Sequence, residues 1–363
     1  MIKDKKKILF ALLYLFLSFS VGSQPAVPTH GQEHELTLYI MPTLEPLDWT
    51  SPKSIYTSTF HCYLKNITTK DNYLLGHVAI KLKSSLLDKP LLTTQTSSGM
   101  QEKLDLIFKQ KIGLGILGAP ITGRMEPSTE LSRKLKVYSE RNKLTFIRYN
   151  INEKAARRII EFVEQYTQVR DSSFATCNYY GGSFWPLNKN EGAGCSSFGI
   201  AVLQLAGIEP IEPEKWIVEV KIPMKLIGGS LNNNKKIKIN EIKKTNQWYE
   251  GRGVANVDYV NYKVYDPSLM FDWVLNKTRQ PSSHYRVISD DGTTGLLIDA
   301  TAAVVDENEP MFTPNKEADL FVIHYLQKIP RQLQTDNAQD TTQDTTQSSG
   351  IPEHLFLQYA PRN

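Results

Sequence analysis

The stretch Gly192-Ala193-Gly194-Cys195-Ser196-Ser197-Phe198-Gly199-Ile200-Ala201-Val202-Leu203-Gln204-Leu205-Ala206-Gly207 decides the reading of this chain. Glycines open it, apolar residues fill it, and Phe198, Ala201, Val202 and Leu205 recur at helical spacing. Gly207 supplies a stop. The pattern predicts a helix starting at or just after Gly194-Cys195, with one stripe buried. A thiol at that position meets the unpaired N–H groups of the first turn, which favour a thiolate. The same groups can donate to an oxyanion on a reacting carbonyl, and the glycines admit a substrate close to the backbone. A cysteine at a helix start also serves as a small buried hydrophobe, so the stretch alone leaves both roles open.

Upstream, Glu35–Ile40, Ile55–Leu64 and Tyr73–Leu82 alternate or run apolar as strands do, and Leu91–Gln95 reads as a fourth. Short strands joined by turns predict an antiparallel sheet. The third of them contains Gly76-His77-Val78-Ala79-Ile80. An imidazole at the start of an apolar strand can reach a neighbouring helix end, and a Cys–His pair activates a nucleophile without metal or cofactor. Asn152 caps a predicted helix carrying Ala156, Ile159, Ile160, Val163 and Tyr166. A loop rich in aromatics (Tyr179, Tyr180, Phe184, Trp185) joins it to the Cys195 helix.

Two motif matches fail on context. Gly113-Leu114-Gly115-Ile116-Leu117-Gly118 fits the dinucleotide fingerprint, which needs a helix directly after the turn; Pro120 and Gly123 follow instead, so it reads as a glycine-rich strand. His30-Gly31-Gln32-Glu33-His34 fits a zinc-protease pattern that works only on a helix, yet Pro28 precedes it and a strand follows. No metal or cofactor is expected.

The Gly-His-Val-Ala-Ile strand, the helix from Asn152, and the Gly-Cys-Ser-Ser-Phe helix ending in Leu205-Ala206-Gly207-Ile208 together resemble the circularly permuted NlpC/P60 branch of papain-like enzymes. Lecithin retinol acyltransferase-like proteins belong to that branch. In it the His strand precedes the Cys helix, the reverse of papain, as His77 precedes Cys195 here. The likeness spans about residues 35 to 208. It implies an α+β fold, an antiparallel sheet packed with helices, with Cys195 as nucleophile and His77 as general base and acid. The family adds a polar residue on the strand after the His; Gln95 is the expected third member, since its amide can accept from an imidazole N–H, and Glu191 is its rival. The implied chemistry is a cysteine peptidase, amidase or acyl transfer on a cell-wall peptide or acyl substrate. The alternative is a non-catalytic exported binding protein on the same scaffold.

The ends of the chain set its surroundings. Met1–Lys7 is basic, Ile8–Val21 apolar, and Gly22-Ser23 small, which are the parts of a secretory signal peptide over residues 1–23. A retained N-terminal anchor is the alternative, although a bilayer span takes about 20 apolar residues. The expected product is periplasmic or extracellular, without a stable membrane span. Removing four lysines and one aspartate takes the formal net charge from +4 to +1. That balance gives no electrostatic case for nucleic acid, and Lys235-Lys236-Ile237-Lys238 reads as the wet face of a strand.

Three cysteines, Cys62, Cys177 and Cys195, are an odd count for an exported chain, which means either one disulfide plus a free thiol or three free thiols. Pairing Cys62 with Cys177 would leave Cys195 free as a nucleophile requires. Trp216–Ile222 and Val257–Tyr265 read as strands of a β-rich extension. The expected organisation is residues 24–207 as the papain-like domain, 208–332 as that extension and 333–363 as a flexible tail. A helix through Ala318, Phe321, Val322 and Tyr325 should end by Pro330.

Overall fold

A computed structural model describes residues 33–69, 76–168 and 175–327. The signal segment, His30 and the tail lie outside them. The elements run β1 (His34–Met41), α1 (Pro52–Thr69), β2 (His77–Ser84), β3 (Leu91–Thr93), β4 (Gln95–Ser97), α2 (Met100–Leu104), β5 (Ile121–Met125), α3 (Ser128–Glu140) and β6 (Thr145–Ile151). After them come α4 (Glu153–Thr167), β7 (Tyr179–Tyr180), α5 (Cys195–Leu205), β8 (Ile217–Pro223), α6 (Ile239–Lys243), β9 (Tyr259–Tyr265), α7 (Pro267–Lys277), β10 (Arg286–Asp290), β11 (Thr293–Ala300) and α8 (Leu320–Leu326). The fold is α+β. Its main sheet has the order β10-β11-β6-β1-β2-β3, antiparallel except where β11 joins β6 in parallel. Smaller sheets pair β4-β5-β7 and β8-β9.

β1 is the central strand, and its alternation sorts two layers. Leu36, Leu38 and Ile40 are fully buried in the main core with Val78, Ile147, Phe162 and Phe198. Tyr39 and Met41 join Ala79, Leu131 and Tyr138 under α3. α5 lies close on the sheet because it has a glycine there: a Cβ on Gly199 would come within 2.8 Å of Leu38 and Val78 side chains. The helix ends at Gly207, whose φ of +68° closes bonds from Gly207 N–H to Gln204 O and from Ile208 N–H to Leu203 O. α4 begins as expected, with Asn152 Oδ1 accepting from Ala155 N–H at 2.9 Å.

Several expectations need correction. Ile55–Leu64 is part of helix α1, not a strand. Ser51 Oγ caps it by accepting from Ser54 N–H at 3.0 Å, and Pro52 takes the first helical position. The Thr and aromatic content that suggested a strand is absorbed by bonds such as Thr57 Oγ1 to Lys53 O at 2.8 Å. Leu91–Gln95 is two strands in different sheets, broken at buried Thr94, whose hydroxyl donates to Val78 O at 2.6 Å. Gly113–Gly118 holds a single 3-10 turn over Leu114–Leu117 in place of a strand. Lys235–Lys238 makes one isolated bridge, Gly229 to Lys235, and leads into α6.

The boundary expected at residue 208 has no counterpart in the core. Trp216, Met270, Trp273, Val274 and Leu296 lie in the same cluster as Leu36 and Ile147, and the described residues, from Glu33 to Gln327, belong to one compact unit. β11 extends the main sheet by pairing Leu296 with Ile147. A chain ending at Gly207 is therefore expected not to unfold cooperatively in urea. Trp216→Ala, which empties a fully buried site, should lower stability by about 3–5 kcal/mol. A truncated chain with a sharp transition would restore the boundary. No helix among the described residues is long and apolar enough to cross a membrane.

Candidate active site

Cys195 opens α5 behind Gly194, and the loop before it is tied down locally: Gly194 N–H donates to Ser197 Oγ at 2.9 Å. The thiol is 5 % exposed. Its sulfur lies 3.9 Å from both the Tyr180 hydroxyl and Gly76 O, and the Val78 N–H and the His77 ring hydrogen-bond to it. His77 is the first residue of β2, placed opposite Met41. The structure thus brings Cys195 and His77 together.

The third partner is Glu126. Its Oε2 lies 2.7 Å from His77 Nε2, leaving Nδ1 as the nitrogen for the sulfur. Glu126 follows the last residue of β5, and its side chain is fully buried. Its backbone is held against the break between β3 and β4, with Glu126 N–H donating to Thr94 O at 2.8 Å. The other oxygen, Oε1, forms an ion pair with Lys134 Nζ on α3.

Charge fixes the protonation of this row. Burial would raise the Glu126 carboxyl, but the His77 and Lys134 cations outweigh it and hold it down at about 2. Burial would also favour neutral imidazole, but the Cys195 and Glu126 charges and hydrogen bonds raise His77 above its ordinary range. For Cys195 burial opposes ionisation, while the His77 charge and the bonds from His77, Val78 N–H and Tyr180 lower it. Both shifts favour a thiolate beside an imidazolium. Burial pushes Tyr180 well up, so its hydroxyl keeps its proton. That hydroxyl stands within reach of the Cys195 N–H as well as the sulfur. The Cys195 N–H and the Tyr180 O–H thus stand together beside the sulfur.

Gln95 does not touch the imidazole. Its Nε2 donates to Cys177 O at 2.8 Å and Tyr179 O at 2.7 Å, and its Oε1 accepts from Tyr166 OH. It staples β4 to the segment that carries Tyr180. Glu191 is equally occupied, accepting from Trp185 N–H at 3.2 Å and Asn315 Nδ2 at 2.8 Å, and so braces the aromatic loop. Glu126 was missed because strand parity argues against it. Along β5, Ile121, Gly123 and Met125 are buried while Thr122 and Arg124 point out, so residue 126 should point out too. β5 ends at Met125, and the parity stops there, before Pro127 in extended backbone opens α3. No local signal marks Glu126.

All three cysteines are free, buried thiols, so of the two readings the three free thiols stand and the Cys62–Cys177 bridge is not formed. Cys62 sits on α1 with its sulfur on Glu45 O at 3.3 Å, whereas Cys177 belongs to the main core. Among the described residues no three His, Cys, Asp or Glu side chains converge as metal ligands.

Cys195 opens into a cavity of about 570 Å³. Leu47, Trp49, Ile55, Ile116, Leu117 and Tyr262 line much of it, so α1 supplies one wall and β9, outside the stretch that resembles a known family, supplies another. Of the loop aromatics, Tyr180, Phe184 and Trp185 face the cavity, and Tyr179 packs edge-on against Tyr325 at 4.7 Å. No protein-family model, curated protein or solved structure matches the chain.

Proposed function

We propose that this protein is a cysteine-dependent acyl hydrolase or acyltransferase, with Cys195 as nucleophile, His77 as general acid and base, and Glu126 orienting His77. The observation that carries this reading is one imidazole joined to a thiol on one side and to a buried carboxylate on the other. The Cys195 sulfur attacks the carbonyl carbon of an amide or ester. The oxyanion that forms lies within reach of the Cys195 N–H and the Tyr180 O–H. His77 gives its proton to the departing nitrogen or oxygen as that bond breaks, leaving a thioester. Water or another acceptor then passes a proton to His77 and attacks the thioester, and sulfur departs as thiolate. The apolar lining of the cavity favours an acyl group with a hydrocarbon chain over a polar cell-wall peptide.

The test is alkylation by iodoacetamide followed by peptide mass mapping across pH 5 to 9. Cys195 should reach half its maximal rate near pH 7, the value to which its neighbours lower it, against about 8.5 for an ordinary thiol. Cys177, pushed up to about 11 by burial, is the internal control and should stay unlabelled. A Cys195 that follows the ordinary thiol range would favour a binding protein with a passive cavity.

A further inference from the structure

Lys134 is a lysine on the wrong face of its helix. Leu131, Leu135 and Tyr138 share the side of α3 that packs on the sheet, and Lys134 lies among them by helical spacing. Its side chain is 21 % exposed, whereas Lys136 on the same helix is 78 % exposed. Nζ of Lys134 meets Oε1 of Glu126, a fully buried oxygen. Sulfur, imidazole, carboxylate and ammonium therefore stand in a row, and with the thiol–imidazole pair ionised their charges alternate and sum to zero.

We propose that Lys134 is a positioning residue that closes this row and sets how readily His77 releases its proton. The proposal rests on the cysteine-enzyme reading above. His77 must take a proton and also give it up to a leaving group. A bare carboxylate behind it, inside a low-dielectric core, would hold the imidazolium too firmly to serve as an acid. The ammonium offsets part of that hold and aims the carboxylate at Nε2. The charged and titratable groups around the row are Cys195 and Tyr180 on the cavity side and Glu126 and Lys134 behind. Glu164 of α4 borders the groove beside Glu126, and the Arg124–Glu130 pair, at 2.7 Å, stands at the start of α3.

The sign follows from charge alone. Removing a positive charge near His77 favours every protonated form, so the imidazole should titrate at higher pH. In Lys134→Met the His77 midpoint, followed by nitrogen-15 NMR of the ring and assigned by its loss in His77→Asn, should rise by about one pH unit. Lys134→Arg should keep the wild-type midpoint. Lys134→Gln is a second neutral variant should the methionine prevent folding.

Kinetics give a second readout. Ethyl octanoate loses an alkoxide that needs the His77 proton, whereas 4-nitrophenyl octanoate loses a phenolate that does not. Lys134→Met should slow thioester formation from the ethyl ester about tenfold more than from the nitrophenyl ester. A merely structural lysine would slow both alike and leave the midpoint in place. An unmoved or lowered midpoint in both neutral variants overturns the proposal. Failure of the wild-type Cys195 to alkylate near pH 7 would instead overturn the enzyme reading itself.

Discussion

Cys195→Ala is expected to lose acyl transfer by about 10⁴- to 10⁶-fold while the protein keeps its fold. The sulfur sits against the His77 imidazole, where the covalent intermediate would form, and alanine is accepted at the first turn of a helix already capped through Gly194 and Ser197. His77→Ala should lose a comparable factor, and the double variant little more, because a nucleophile and its base fail as a unit. Intact-mass detection of the acyl-enzyme, with far-ultraviolet circular dichroism as the fold control, reads both effects. Wild-type turnover in either single variant would sink the cysteine mechanism.

Glu126→Gln should cost about 10²- to 10⁴-fold in turnover, the range for losing the carboxylate that orients a catalytic histidine. An amide facing Nε2 can donate where the carboxylate only accepts. That pairing moves the ring proton to Nδ1 in neutral imidazole, so the nitrogen that faces the sulfur can no longer act as base. The same substitution leaves the partly buried Lys134 ammonium without its anion, which should destabilise the fold by about 1–3 kcal/mol. The wild-type pH dependence carries the matching sign. Ionised Glu126 is held below its unfolded value of 4.5, so the stability it contributes is complete above that pH and is lost as the pH falls toward 2. His77 runs the other way: its contribution is present below 6.5 and lost as the pH rises through about 9. Urea titrations of wild type and Glu126→Gln across this range test both limbs. Parallel stability curves at all pH would show that Glu126 contributes nothing as a charge.

Sequence by itself determined the elements whose information is local. The glycines around Cys195 and the stop at Gly207 specify α5, because cap geometry and apolar spacing act within a few residues. Asn152 specifies the start of α4, and the apolar run after His77 specifies β2. Those three placements were enough to put a thiol on a helix end and an imidazole on a strand end. At Ile55–Leu64 side-chain propensity favours a strand, while Ser51, Pro52 and the cavity-facing face of α1 favour the helix that forms. Burial outweighs a propensity difference of a few tenths of a kcal/mol per residue.

Only the tertiary structure decided the rest. Glu126 and His77 are 49 residues apart, and they meet because β5 pairs with β4 after the chain leaves the main sheet at Thr94. Gln95 has the right polarity, but its hydrogen-bonding capacity is taken by Tyr166, Cys177 and Tyr179. The segment beyond residue 208 looked separable by composition, yet β11 and Trp216 complete the same core. In each case the deciding contact depends on strand pairing and packing between distant segments. Periodicity states which side chains want burial, and only the assembled sheet states which of them share one space.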